Sequence, residues 1–181
     1  MNIKFNKFLK GSLFFAITLF ILYIGQNLWF NYSIKEPLTK ELNNISGVNT
    51  VAFQQRYKFK EPLYIDITLA NVSNFHITYT KIDETIKHFI GQRQYELSIT
   101  DNRTDELEKL YYDIHYYIEE ALVNGNFPML AAKASEIANT IDAKSQIYID
   151  SKNIYVHLYK NENSLYMLIS RHYLNIYWGK K

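Results

Sequence analysis

Cysteine is absent from the chain. That excludes disulfides, thiolate nucleophiles and cysteine metal sites, and it rules out lipoprotein processing. It fits an exported bacterial domain held together by its core alone. Glycine is also scarce. The six glycines are isolated, at Gly11, Gly25, Gly47, Gly91, Gly125 and Gly179, so no glycine-rich phosphate loop or nucleophile elbow is present. The five histidines, His76, His88, His115, His157 and His172, include no pair four residues apart and no His-Glu-x-x-His. Neither a cofactor nor a metal is expected. Acidic residues are missing from the whole N-terminal region, the first being Glu36.

What fills that region is apolar. Residues 11–34 carry no charge, and their centre, residues 13–24, reads LFFAITLFILYI. A bilayer core about 30 Å thick needs roughly 20 helical residues. Trp29, Phe30 and Tyr32 would then lie at headgroup level, where aromatic rings concentrate. Lys4, Lys7 and Lys10 precede the segment, which predicts a cytoplasmic N-terminus and an exported remainder. The expected organisation is a short cytoplasmic segment (1–10), a membrane anchor (11–34), a juxtamembrane stalk (35–50) and an extracytoplasmic domain (51–181). A cleaved signal peptide is the alternative, but Gln26, Asn27, Leu28, Trp29 and Phe30 make a poor cleavage region. Beyond the anchor, 17 basic residues face 18 acidic ones, a balance of −1. That argues against nucleic acid, which needs a concentrated basic surface. Arg56, Lys58 and Lys60 are the one local basic run, and they read as a solvated strand edge.

The exported part alternates between the two periodicities. Leu38, Leu42 and Ile45 share a helix face after a break at Glu36-Pro37, and that stripe can pair with a second copy or pack on the domain. Val51, Phe53, Gln55, Tyr57 and Phe59 predict a strand, and Leu63, Ile65, Ile67 and Leu69 a second. Residues 74–90 predict a helix, with Phe75, Tyr79, Ile82, Ile86 and Phe89 inside, Ser73 as N-cap and Gly91 as stop. Tyr95, Leu97 and Ile99 predict a third strand, so residues 63–100 form a β-α-β piece. Thr104 caps a second helix running to Asn124, and a third follows over 128–141 with an Ala131, Ala134, Ala138 face. Three strands, 146–150, 154–160 and 165–171, form a closing meander, and Tyr173, Ile176, Tyr177 and Trp178 end the chain in an aromatic tail. The order β-β-α-β-α-α-β-β-β predicts an α+β two-layer sandwich with a mostly antiparallel sheet.

Chemistry is thinly signalled. Asp101, Arg103 and Asp105 cluster where a strand ends and a helix begins. His115 and Glu119 are four apart on a helix, a spacing that can hold a metal or a general base and that more simply makes a surface contact. Asp142 and Asp150 read as turn residues, and Arg171 as an ion-pair partner for one of them. Tyrosine is abundant, at 16 residues, and not all can face inward. Tyr112 and Tyr116 form one candidate interface, and Tyr173, Tyr177 and Trp178 another. The reading is a membrane-anchored, extracytoplasmic, non-enzymatic interaction module. It is held in the bilayer by residues 11–34 and binds a protein partner or its own copies. A sensory or ligand-binding domain and an envelope-acting hydrolase using carboxylates are the alternatives.

Overall fold

The computed structural model describes residues 2–54 and 62–171. A long apolar helix, α1 (Asn2–Phe30), opens the chain. From Leu13 to Trp29 its large apolar side chains are exposed all round, with Phe14 at 73 %. No protein surface covers them, and the helix is long and apolar enough to cross a membrane. Its one threonine hydroxyl is satisfied inside the helix, Thr18 Oγ1 donating to the Phe14 carbonyl at 2.9 Å.

The predicted break at Glu36-Pro37 does not occur. The chain stays helical through a π turn (Asn31–Lys35) into α2 (Glu36–Asn43). Pro37 has no N–H for the Ser33 carbonyl, and its ring would crowd that carbonyl in a regular α-helix. The wider turn relieves both, the Glu36 N–H reaching back to the Asn31 carbonyl. Leu38 and Leu42 of α2 are fully buried in the core of the folded part, with Phe30, Ile34 and Ile45 beside them.

Among the described residues six strands form two small sheets, where the sequence predicts one. In the first, β1 (Val48–Phe53) pairs antiparallel with β2 (Leu63–Leu69), and β2 pairs parallel with β3 (Tyr95–Thr100). The crossover is α3 (Phe75–Ile90), which buries Phe75, Thr78, Ile82 and Ile86. Its N-cap is Asn74, not Ser73: the Asn74 carboxamide oxygen accepts from the Ile77 N–H at 3.1 Å. β1 starts three residues earlier than its apolar pattern suggests. Gln55, Arg56, Tyr57, Lys58, Phe59, Lys60 and Glu61 lie outside the described residues, as do Tyr173, Ile176, Tyr177 and Trp178. Gly47 fits before β1 because its φ is +94° and a Cβ there would stand 2.7 Å from Val72 Cγ2.

The second sheet is the meander β4 (Lys144–Ile149), β5 (Asn153–Lys160), β6 (Asn163–Ser170), antiparallel throughout. It separates two cores. Ile154, Val156, Leu158 and Leu165 pack with α4 (Asp105–Asn124) and α5 (Phe127–Asn139). Tyr155 and Tyr166, on the opposite face, pack with Phe75, Ile82 and the first sheet's Leu63, Ile65, Ile67 and Leu69. The two-layer sandwich is seen only in part: α3 packs between the two sheets, and α4 and α5 cover the far side of the second. Sequence periodicity shows that a strand has an apolar face, but not which strands share a sheet. On α5 the buried stripe is Leu130, Ala134 and Ala138, and Ala131 faces solvent.

Candidate functional site

The loop joining β3 to α4 brings two of the three clustered charges together. Asp101 follows β3 directly, and its side chain is 2 % exposed. Oδ1 accepts from Arg103 Nε at 2.7 Å, and Oδ2 from Arg103 Nη2 at 2.8 Å. Oδ2 also accepts the Tyr166 N–H at 2.8 Å. Asn102 completes the clasp, its Oδ1 accepting from the Ser164 N–H at 2.9 Å and its Nδ2 donating to the Glu162 carbonyl at 2.8 Å. Both N–H groups belong to β6, an edge strand, so the loop satisfies donors that would otherwise offer pairing to another chain. The hydrogen bond to Asp101 also raises the affinity of the Arg103 guanidinium for its proton. Asp105 stays in the exposed first turn of α4, where its charge suits the helix dipole, and does not join the pair. Thr104 caps that helix, its Oγ1 accepting from the Leu107 N–H at 3.3 Å.

His115 and Glu119 approach to 3.8 Å across one turn of α4, both substantially exposed. A single carboxylate at that distance is a surface contact. Among the described residues no group of three metal-ligating side chains converges.

The outer face of α4 is different in kind. Tyr112 is 58 % exposed and Tyr116 78 %, with Val123 exposed two turns further on and Met129 exposed at the start of α5. Tyr111 and Tyr117, their neighbours, pack against the inner core. The helix carries six acidic residues and one lysine, Lys109. Asp113, Glu119 and Glu120 are exposed beside the two outer tyrosines.

Two polar clusters had no signature in the sequence. In the first, Asp150 Oδ1 accepts from the N–H groups of Lys152 and Asn153 at 2.6 and 2.7 Å, and Oδ2 accepts the Tyr155 hydroxyl at 2.8 Å. His76 Nε2 stands 3.8 Å from Oδ2, and the His76 ring meets Tyr155 edge-on at 4.6 Å. Burial works to raise the Asp150 carboxyl. The hydrogen bonds from Lys152, Tyr155 and Asn153 outweigh it and hold the group below its ordinary value. Arg171 does not pair with that carboxylate, contrary to expectation. Its Nη1 donates to the Asp150 carbonyl at 2.5 Å, and its guanidinium lies over the Phe127 ring. In the second cluster the Tyr95 hydroxyl makes a short hydrogen bond to Asp83, which also holds Lys87. Burial, then the Asp83 charge, pushes the Tyr79 phenol up to about 12. The first cluster brings His76 of α3 to the β4–β5 turn, and the second joins α3 to β3, so each depends on how elements pack rather than on one helix or strand spacing.

Two open depressions of about 400 Å³ lie away from both the α4 face and the Asp150 cluster. One is lined by Lys87, Gln92, Arg93 and Gln94, the other by Lys35, Thr39 and Lys40 of the π turn and α2. No protein-family model, characterised protein or solved structure matches this chain, so its own geometry carries the functional reading.

Proposed function

We propose that the protein is a membrane-anchored, extracytoplasmic interaction module that captures a protein partner through the outer face of α4. Tyr112 and Tyr116 carry the proposal. Large rings left 58 % and 78 % exposed, side by side on a helix otherwise packed to its core, suit an interface more than a solvated surface. The acidic surroundings select the partner's chemistry. Asp113, Glu119 and Glu120 flank the tyrosines, so the complementary surface presents arginine or lysine, whose cations also stack on phenol rings. A second copy of this chain would meet like charge, which makes a different membrane protein the better occupant.

The apolar helix supports the same reading. Its continuity with α2 leaves no flexible tether, so the α4 face is held at one height above the bilayer. Confinement to the membrane raises the effective concentration of any neighbour there. The carboxylate-hydrolase alternative loses ground because Asp101 is already saturated by four hydrogen bonds.

The test is copurification from intact membranes after mild crosslinking, comparing the parent with Tyr112→Ser plus Tyr116→Ser. Both positions are exposed, so the variant folds and its circular dichroism matches the parent. The parent retains a partner that the variant loses at least tenfold. Equal recovery by both rejects the α4 face, and recovery of only the chain itself replaces the heterologous partner with self-association.

A further inference from the structure

The end of the folded part next to α1 carries two cations that, among the described residues, have no acidic partner. Arg93, in the loop between α3 and β3, lies over the ring of Phe30, its guanidinium carbon 5.4 Å from the centroid. Its Nε is buried and makes no hydrogen bond. Lys35, in the π turn, lies over the ring of Phe53 at 5.7 Å. Among the described residues no carboxylate pairs with either. A guanidinium that no carboxylate of the described residues neutralises can take an anion from outside the chain through its terminal N–H groups.

The position of Phe30 says what that is. It is the last residue of α1, and residues 13–30 cover about 27 Å at 1.5 Å per residue, close to a bilayer core of about 30 Å. Phe30 therefore marks the edge of the hydrocarbon. The exposed rings of Trp29 and Tyr32 beside it suit the same depth. The headgroup layer adds about 5–8 Å on each side. A guanidinium 5.4 Å from the Phe30 ring falls inside it. The open depression beside Arg93, lined also by Lys87, Gln92 and Gln94, adds amide donors. Glu96 at its rim carries the opposing charge, and Lys87 is engaged by Asp83, so among the described residues Arg93 is the lining cation with no ion pair.

We propose that Arg93 binds the phosphodiester of an anionic lipid headgroup, with Lys35 meeting a neighbouring headgroup, and that the two seat the domain on the membrane surface. The guanidinium takes two phosphate oxygens through parallel N–H donors, and Lys35 adds a point charge. The proposal rests on the membrane-span part of the reading above and is independent of the α4 interface.

The experiment places the full chain in nanodiscs of mixed phosphatidylcholine and phosphatidylglycerol and measures the lipid retained on the protein by native mass spectrometry. Parent, Arg93→Lys, Arg93→Gln and Arg93→Gln plus Lys35→Gln are compared. The parent enriches phosphatidylglycerol over the bulk ratio. Each cation removed lowers that enrichment about fivefold, as expected for a charge at an anionic surface, and Arg93→Lys, which keeps the charge but loses the paired donors, falls between parent and Arg93→Gln. Matching circular dichroism shows that the variants are folded. Bulk-ratio lipid on the parent, or undiminished enrichment on the double variant, overturns the proposal. Inorganic phosphate added to the detergent-solubilised chain should leave its thermal midpoint unchanged. A rise that Arg93→Gln abolishes would make free phosphate the ligand and overturn the lipid assignment. Release of the parent from vesicles by alkaline carbonate would overturn the span reading itself.

Discussion

His157 sits 3 % exposed in β5, its ring stacked between Tyr159 and Tyr166 at 4.8 and 4.6 Å. Nε2 lies 3.4 Å from Ser164 Oγ, and the buried Nδ1 has no hydrogen-bond partner. Burial disfavours the imidazolium and lowers the histidine's pKa to about 4. In the unfolded chain the ring titrates at about 6.5. Between those values the unfolded state binds the extra proton, so stability rises with pH across that window. The contribution is complete above pH ~6.5 and lost as pH falls towards ~4, about 3 kcal/mol in all. Urea titrations over that range should show this slope in the parent and its loss in His157→Gln. A parent midpoint independent of pH there would contradict the buried neutral ring. Asp150 acts lower, because its depressed carboxyl contributes until pH falls beneath the ordinary carboxylate range. Neither role was legible in sequence, where His157 is one alternating strand residue and Asp150 a turn residue.

At the scale of elements, the β3–α4 loop is a clasp between the two sheets. Asp101 and Asn102 leave the first sheet and close the outward N–H groups of β6 in the second. Asp101→Ala removes the acceptor for the Arg103 guanidinium and the Tyr166 N–H together. The expected cost is about 3–5 kcal/mol, the range for breaking a buried pair. Thermal unfolding should fall well below the parent, and Asp105→Ala, on the exposed first turn of α4, should move it far less. Equal effects would mean that the clasp does not hold the sheets. Sequence located this cluster but not its use. Strand end, helix cap and three charges read alike whether the carboxylate faces a ligand or a neighbouring strand. The helices were more legible. α3 and α4 follow their apolar periodicity, and α4 starts after the Thr104 cap and ends at Asn124, as the residue types placed it. The π turn was not legible, because Glu36-Pro37 gives the same signal whether a helix ends or widens.

At the scale of the whole molecule, the apolar helix runs without interruption into α2, and α2 is part of the domain's core. On the proposed membrane span, this continuity fixes which end of the domain faces the bilayer, the end with Arg93 and Lys35, and where the α4 face stands. Mixed α+β character was readable from the alternation of periods along the chain. The division into two sheets was not, because it depends on pairings between distant strands and on β5 being buried on both faces. The proposed function stands or falls on the α4 face meeting a protein partner at the membrane. The most direct measurement introduces a photo-reactive phenylalanine analogue at position 116 of the full chain in intact membranes. The same probe at position 136, on the exposed side of α5, serves as control. The account predicts a discrete crosslinked species of higher mass from position 116 and none from position 136. No crosslink at 116, or the same products from both positions, would contradict it.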